Sequence, residues 1–317
     1  PGDGFANNMA PGRTPLGYPN SVYGVEFYSD SAVTNSNPLP GSALALSDSD
    51  VNLIGLQFLS TQGPAVPAAT IGSGDMYVPG NGYGNDEYFN RDLLYAGGGL
   101  GVITTDARSV IANSTIVYAG TTAGCFGLWS KFNDAIVNDT FIGPGSGASG
   151  CTAIISFEGS AIGFTTTPIY SNAIVGWANP YAYGTAEGLP TTVSGNNATD
   201  LASNYTPPAN FELPGETATT YAAVMLPGVS LYGLSAAAQF VAPAPGPGMD
   251  LRLLTAGSLY GGGVEFSYAL GENTTQILTN LNQPDIFGNA RPQGTRYDIG
   301  AYEVSLGCPS ASGTGCN

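Results

Sequence analysis

Apolar and polar positions follow one pattern along Gly101 to Tyr118 (GVITTDARSVIANSTIVY) and, 25 residues later, along Phe126 to Gly143 (FGLWSKFNDAIVNDTFIG). Ile103 falls on Leu128, Val110 and Ile111 on Ala135 and Ile136, Asn113 on Asn138, Thr115 on Thr140, and Ile116 with Val117 on Phe141 with Ile142. These runs are short, β-branched and without helical spacing, so they predict strands. A repeat in the twenties made of such strands predicts a β-solenoid, in which each coil is buried by its neighbours. Upstream, Phe89 to Gly97 matches Ala112 to Gly120 at a spacing of 23, and downstream Ser171 to Gly176 resembles Val137 to Gly143 with one residue deleted. With a weaker copy at Leu46 to Leu59, about five coils are expected between residues 43 and 177.

An asparagine recurs at the bend of each coil. Asn tolerates the left-handed backbone better than other residues that carry a Cβ, and its amide can bond to copies above and below. Asn90, Asn113, Asn138 and Asn172 are therefore expected to stack as an internal ladder. Residues 1–42 are a Gly/Pro-rich lead, and from 178 to 317 the coil pattern gives way to Pro, Ala, Thr, Gly and Tyr. Within that second half, Ala237 to Val241 and Met249 to Leu253 read as strand, turn, strand. The half is expected to pack along the rod or cover its end, because an open terminal coil exposes strand edges.

Composition supports a folded all-β chain and narrows its partners. Gly (46) and Pro (23) exceed a fifth of the 317 residues, yet 43% are hydrophobic and 18 Tyr and 13 Phe are present, unlike a disordered chain. Seven basic residues against 23 acidic ones give a net charge of -16, which repels nucleic acid and anionic lipid. No apolar run reaches the roughly 18 to 20 residues that span a bilayer. The opening PGDGFANNMAPGRTP lacks the layout of a signal peptide, so a removed signal or a longer precursor is expected.

Cys125 and Cys151 stand at the start of successive coils, one above the other, where strand spacing falls near the Cα separation of about 4.4 to 6.8 Å that a disulfide needs. Cys308 and Cys316 can close a short loop at the tail. Both pairings predict an oxidising, extracytoplasmic setting. Metal ligation by these thiols is disfavoured, since there is no CxxC and no His.

Residues 283 to 303, QPDIFGNARPQGTRYDIGAYE, carry a family resemblance. They resemble the closing motif of secreted bacterial right-handed parallel β-helix proteins, the "choice-of-anchor Q" group of the pectate-lyase-like superfamily, which often reads D-x-x-G-x-x-R-P-x-G-x-x-x-D-I-G-A-x-E. Phe240 and Val241, Leu251 to Leu253, and Ala256 to Ser258 are similar to that group's passage before the motif. The resemblance implies a right-handed parallel β-helix with a loop-rich C-terminal part packed on it. Read physically, Arg291 and Arg296 beside Asp285, Asp298 and Glu303 form a structural clasp with at least one partly buried ion pair.

The superfamily includes polysaccharide lyases and glycosidases, so a carbohydrate-active enzyme is the first alternative. One coil face has the residues for it: Asp106, Arg108, Lys131, Asp134 and Glu158. A lyase needs a base beside carboxylates that hold Ca²⁺, and a glycosidase needs two carboxylates about 5 to 10 Å apart. The commoner outcome for such a face is a salt bridge between coils, Asp106 to Lys131. Asp48, Asp50, Asp86 and Glu87 are weak calcium candidates on acidic turns without EF-hand spacing, and no other cofactor is expected. Sequons at Asn113, Asn138, Asn197, Asn204 and Asn273 are no more than chance supplies. Trp129 and Trp177 are the residues an adhesin would present to a glycan. Low charge and abundant Tyr, Gly, Asn and Thr instead favour a secreted, non-catalytic protein that associates with copies of itself in a filament, sheath or appendage. A glycan-binding adhesin or phage-type spike is the third reading.

Overall fold

The computed structural model describes residues 21–23, 26–29, 44–47, 51–54, 57–60, 69–72, 86–97, 101–105, 108–130, 135–145, 149–156, 169–185, 194–208, 210–212, 219–226, 228–245, 249–264, 285–286 and 289–304. It is a three-sheet parallel β-helix in which each coil contributes one short strand to each sheet. The coils run β1 (Ser21–Tyr23), β2 (Glu26–Ser29), β3 (Leu44–Ser47); β4 (Val51–Ile54), β5 (Gln57–Ser60), β6 (Ala69–Gly72); β7 (Asp86–Asn90), β8 (Leu93–Ala96), β9 (Gly101–Thr105). They continue with β10 (Arg108–Ala112), β11 (Thr115–Tyr118), β12 (Phe126–Ser130); β13 (Ala135–Val137), β14 (Thr140–Ile142), β15 (Thr152–Ser156); β16 (Ile169–Tyr170), β17 (Ala173–Val175), β18 (Asn179–Gly184). A last partial coil has β19 (Ser194–Gly195) and β20 (Asn197–Thr199), and its third side is an antiparallel pair, β21 (Phe211–Glu212) with β22 (Thr220–Val224), laid against β18. The strand β23 (Val229–Leu231) then pairs with β20 and ends the second sheet. Coils therefore lie on both sides of the 43–177 stretch in which the repeat is read.

Register explains why the repeat is legible. Ile111 pairs with Ile136, Ile116 with Phe141 and Leu128 with Ile103, as the alignment predicts. Three rows of side chains point inward: Phe89, Ile111, Ile136 and Ile169 from the first sheet, Leu94, Ile116, Phe141 and Ile174 from the second, Ile103, Leu128, Ile154 and Tyr181 from the third. All belong to one buried cluster. Burial of each such side chain stabilises the fold by about 1.5–3 kcal/mol before chain entropy is counted. A coil supplies only one ring of this core, so it is stable only in a stack.

Cys125 and Cys151 are bonded across adjacent coils with Cα atoms 4.4 Å apart, just ahead of the paired Phe126 and Thr152. This disulfide points to an oxidising environment. Cys308 and Cys316 lie outside the described residues. With a sequence separation of 26, replacing Cys125 and Cys151 by serine is expected to cost about 3 kcal/mol, read as a lower urea midpoint.

The C-terminal half folds back along the second sheet. A single helical turn, α1 (Ala236–Gln239), leads into β24 (Phe240–Ala242), which pairs antiparallel with β25 (Asp250–Leu253). The strand, turn, strand reading thus holds from Phe240 onward, while Ala236 to Gln239 is helical. The outward residues Val117, Ile142 and Val175 form one row across β11, β14 and β17. Phe240, Leu251, Leu259, Ile299, Ala301 and Tyr302 cover that row as a second apolar cluster. No helix among the described residues is long and apolar enough to cross a membrane.

Candidate functional site

The corner between the first and second sheets is two residues long, and it organises the buried polar groups. Its first position is left-handed in each of the five coils whose corner is described: Arg91 (φ 63°), Asn113 (φ 51°), Asn138 (φ 57°), Ser171 (φ 54°) and Asn196 (φ 56°). Asn138 Nδ2 donates to Asn113 Oδ1 at 3.4 Å, so these two members of the expected ladder meet. Asn172 does not join them, and of Asn90 only the backbone is described. Asn90 ends β7 opposite Ala112, one residue before the corner, and Asn172 occupies the second corner position. The true spacing of the upstream copy is 22, as in Leu93 with Thr115, and no residue is deleted between Thr140 and Ala173.

The second corner position forms a polar column that the sequence reading missed: Asp92, Ser114, Asp139, Asn172 and Asn197, all fully buried. At the first four of these positions a side chain of the next coil accepts the backbone N–H, whereas Asn197 N–H donates to the Gly228 carbonyl at 3.2 Å. Asp92 N–H donates to Ser114 Oγ (3.1 Å), Ser114 N–H to Asp139 Oδ1 (2.7 Å), Asp139 N–H to Asn172 Oδ1 (2.8 Å) and Asn172 N–H to Asn197 Oδ1 (3.0 Å). Asn172 Nδ2 also donates to the Ile136 carbonyl at 2.8 Å. These bonds satisfy buried backbone donors at the corner that would otherwise be left unpaired. The signal was present as paired polar residues (Asn-Ser, Asn-Asp, Ser-Asn, Asn-Asn) ahead of each apolar run.

Asp139 differs from its column mates. Its Oδ2 has no hydrogen-bond partner, and burial pushes its carboxyl well above the usual range, against the pull of backbone N–H groups and of Arg291. Arg291 comes from the C-terminal clasp, which docks on this corner. Gly300 N–H donates to the Ser171 carbonyl (2.9 Å), Ala301 N–H to Thr140 Oγ1 (2.9 Å), and Thr115 Oγ1 to the Tyr302 hydroxyl (3.2 Å). Gly300 has φ 97°, and a Cβ there would lie 2.6 Å from Thr140 Oγ1, so the contact requires glycine.

Four of the five clasp residues named from the sequence are brought together. Arg291 Nη1 lies 3.6 Å from Glu303 Oε2 with both side chains buried, and its Nη2 donates to the Gly300 carbonyl at 2.6 Å. Glu303 accepts the Gln293 and Asp298 N–H groups, Asp298 those of Gly261 and Val304, and Asp285 those of Asn289 and Glu303. Arg296 is exposed and stands outside this network. Burial lifts Glu303 to about 7, with Asp298 adding to the rise and Arg291 opposing it. Asp298 is raised as well, chiefly by burial. Each carboxylate is turned onto backbone N–H groups, an arrangement that fixes a chain segment.

Asp106, Lys131, Asp134, Glu158, Asp48 and Asp50 lie outside the described residues, and of Arg108, Asp86 and Glu87 only the backbone is described, Arg108 opposite Asp86 in register. Among the described residues no group of three or more His, Cys, Asp or Glu is placed to hold a metal. Trp177 is buried in the core near Tyr118, and Trp129 is half-buried against Phe126. Of the sequons, Asn113, Asn138 and Asn197 are buried, Asn204 is exposed, and Asn273 lies outside the described residues. Compared with protein-family models, with curated proteins and with solved structures, the chain gives no match.

Proposed function

We propose that this chain is a secreted, non-catalytic β-helix of the "choice-of-anchor Q" kind that builds or decorates an extracellular structure by associating with copies of itself. The observation that carries this reading is the one-dimensional order of the coils. Seven strands of the first sheet and the first seven of the second stay parallel and in step, so each coil offers its neighbour parallel strand edges. Such a stack extends by adding another coil of matching shape, and a second copy of the chain supplies one. The two ends are unlike: β1, β2 and β3 pair with β4, β5 and β6 in parallel, whereas the third sheet finishes in the antiparallel β22 and β21. Unlike ends favour head-to-tail contacts, which give open polymers. The disulfide supports an extracellular setting.

Electron microscopy of the purified native protein tests this. Ordered filaments or a lattice are expected, with copies burying at least about 1,000 Å² between them. Dispersed short rods at high concentration overturn it and move attention to lyase, hydrolase and binding assays on a polysaccharide panel.

A further inference from the structure

The clasp places one buried cation among four carboxyls. Arg291 faces Glu303, Asp285 and Asp298 from its own segment and Asp139 from the coil. Full ionisation would leave three negative charges uncompensated in a site where Asp139 is wholly buried and Glu303 nearly so. A low-dielectric interior opposes such an excess. Hydrogen bonding does not relieve it at Asp139, whose Oδ2 has no partner, nor at Arg291, whose Nε has none. The other ionisable side chain in the contact, Tyr302, faces Thr115 and Asp250 and stays neutral, its phenol raised by burial.

We propose that residues 289–304, together with Asp285, form a proton-coupled latch: it closes on the Asp139 corner when the carboxyl cluster around Arg291 carries a proton, and loosens when every member is ionised. The sign follows from the direction of the shifts. Glu303 moves from 4.5 to about 7 on burial, and Asp298 and Asp139 also rise, so the closed form binds protons more tightly than the open one. The stabilisation that protons add to the closed form is fully present below about pH 4.5 and is lost as pH rises through about 7. For Glu303 alone the difference amounts to about 300-fold in the closing equilibrium, a factor of ten for each unit. Release takes Ile299, Ala301 and Tyr302 off the cluster that covers Val117, Ile142 and Val175 on the second sheet.

Hydrogen exchange of the full chain, read by mass spectrometry from pH 4.5 to 9 and corrected for intrinsic exchange, tests the latch. The amides of Gly300, Ala301, Glu303 and Val304, each bonded to a named acceptor in the closed form, report it. In the wild-type chain their protection should fall with rising pH by on the order of 300-fold and level off above about 7. Glu303→Gln should flatten that slope. Asp139→Asn should raise protection at pH 8 to 9, because Asn already fills the same column at Asn172 and Asn197. The slope is the readout, so a merely weaker clasp does not mimic the result. A wild-type profile without slope overturns the latch, as does a slope that both variants retain. If Glu303→Gln does not fold, the wild-type profile and Asp139→Asn still decide.

Discussion

Arg291→Leu is expected to destabilise the protein by about 3–5 kcal/mol, because it removes the cation from a buried cluster and leaves its carboxylates behind. The Arg291 side chain is fully enclosed and pairs with an equally enclosed Glu303. Without the guanidinium, the Gly300 and Asp298 carbonyls also lose their donor. Arg291→Lys should recover part of the loss, since an ammonium restores the charge but cannot reach two carbonyls and a carboxylate from one plane. The defect should shrink in mild acid, where Glu303, raised to about 7, takes up a proton and the uncompensated charge falls. Urea midpoints at pH 5 and pH 8 measure it. An Arg291→Leu chain as stable as wild type at pH 8 would contradict the buried pair as the fastening of the C-terminal half.

The second large effect is expected inside the coil. Asn172→Ala should cost on the order of 4 kcal/mol, because one side chain serves three coils. It accepts the Asp139 N–H on one side, caps the Ile136 carbonyl and bonds Asn197 Oδ1 on the other. Truncation orphans a buried donor and a buried carbonyl, each worth about 1–3 kcal/mol, and opens a small void. Asn172→Asp should cost at least as much as Asn172→Ala, because it turns a buried carboxylate onto the Ile136 carbonyl and Asn197 Oδ1, both of which are acceptors. Thermal unfolding of the set ranks them, and equal midpoints for Asn172→Ala and wild type would remove the column from the list of stabilising features.

How much of this was readable beforehand depends on which forces write themselves into residue type. The inward rows were legible, since Ile103 with Leu128 and Ile116 with Phe141 must be apolar to be enclosed. The bridge between Cys125 and Cys151 was legible for the same geometric reason. The corner was harder. A left-handed residue followed by a side-chain cap can be spelled Arg-Asp, Asn-Ser, Asn-Asp, Ser-Asn or Asn-Asn, so alignment on the asparagine letter slipped by one at Asn90 and Asn172. The clasp could be read as a cluster of charges but not as a docked one, because its partners Thr115, Thr140 and Asp139 lie far away along the chain. Arg296 was grouped with Arg291 by proximity in sequence, yet it faces solvent.

The docking of Tyr302 on Thr115 and of Ala301 on Thr140 joins positions 187 and 161 residues apart. Coils can stack one after another as the chain leaves the ribosome or a translocation pore, each new turn finding its seat on the one before. The second sheet cannot be shielded on that schedule. Phe240, Leu251 and Leu259 cover part of its outer row earlier, but the rest stays open to water, and to other nascent chains, until Ile299, Ala301 and Tyr302 have been delivered. A growing chain therefore carries a sticky flank for most of its synthesis, and whatever escorts it must protect that flank until the tail arrives.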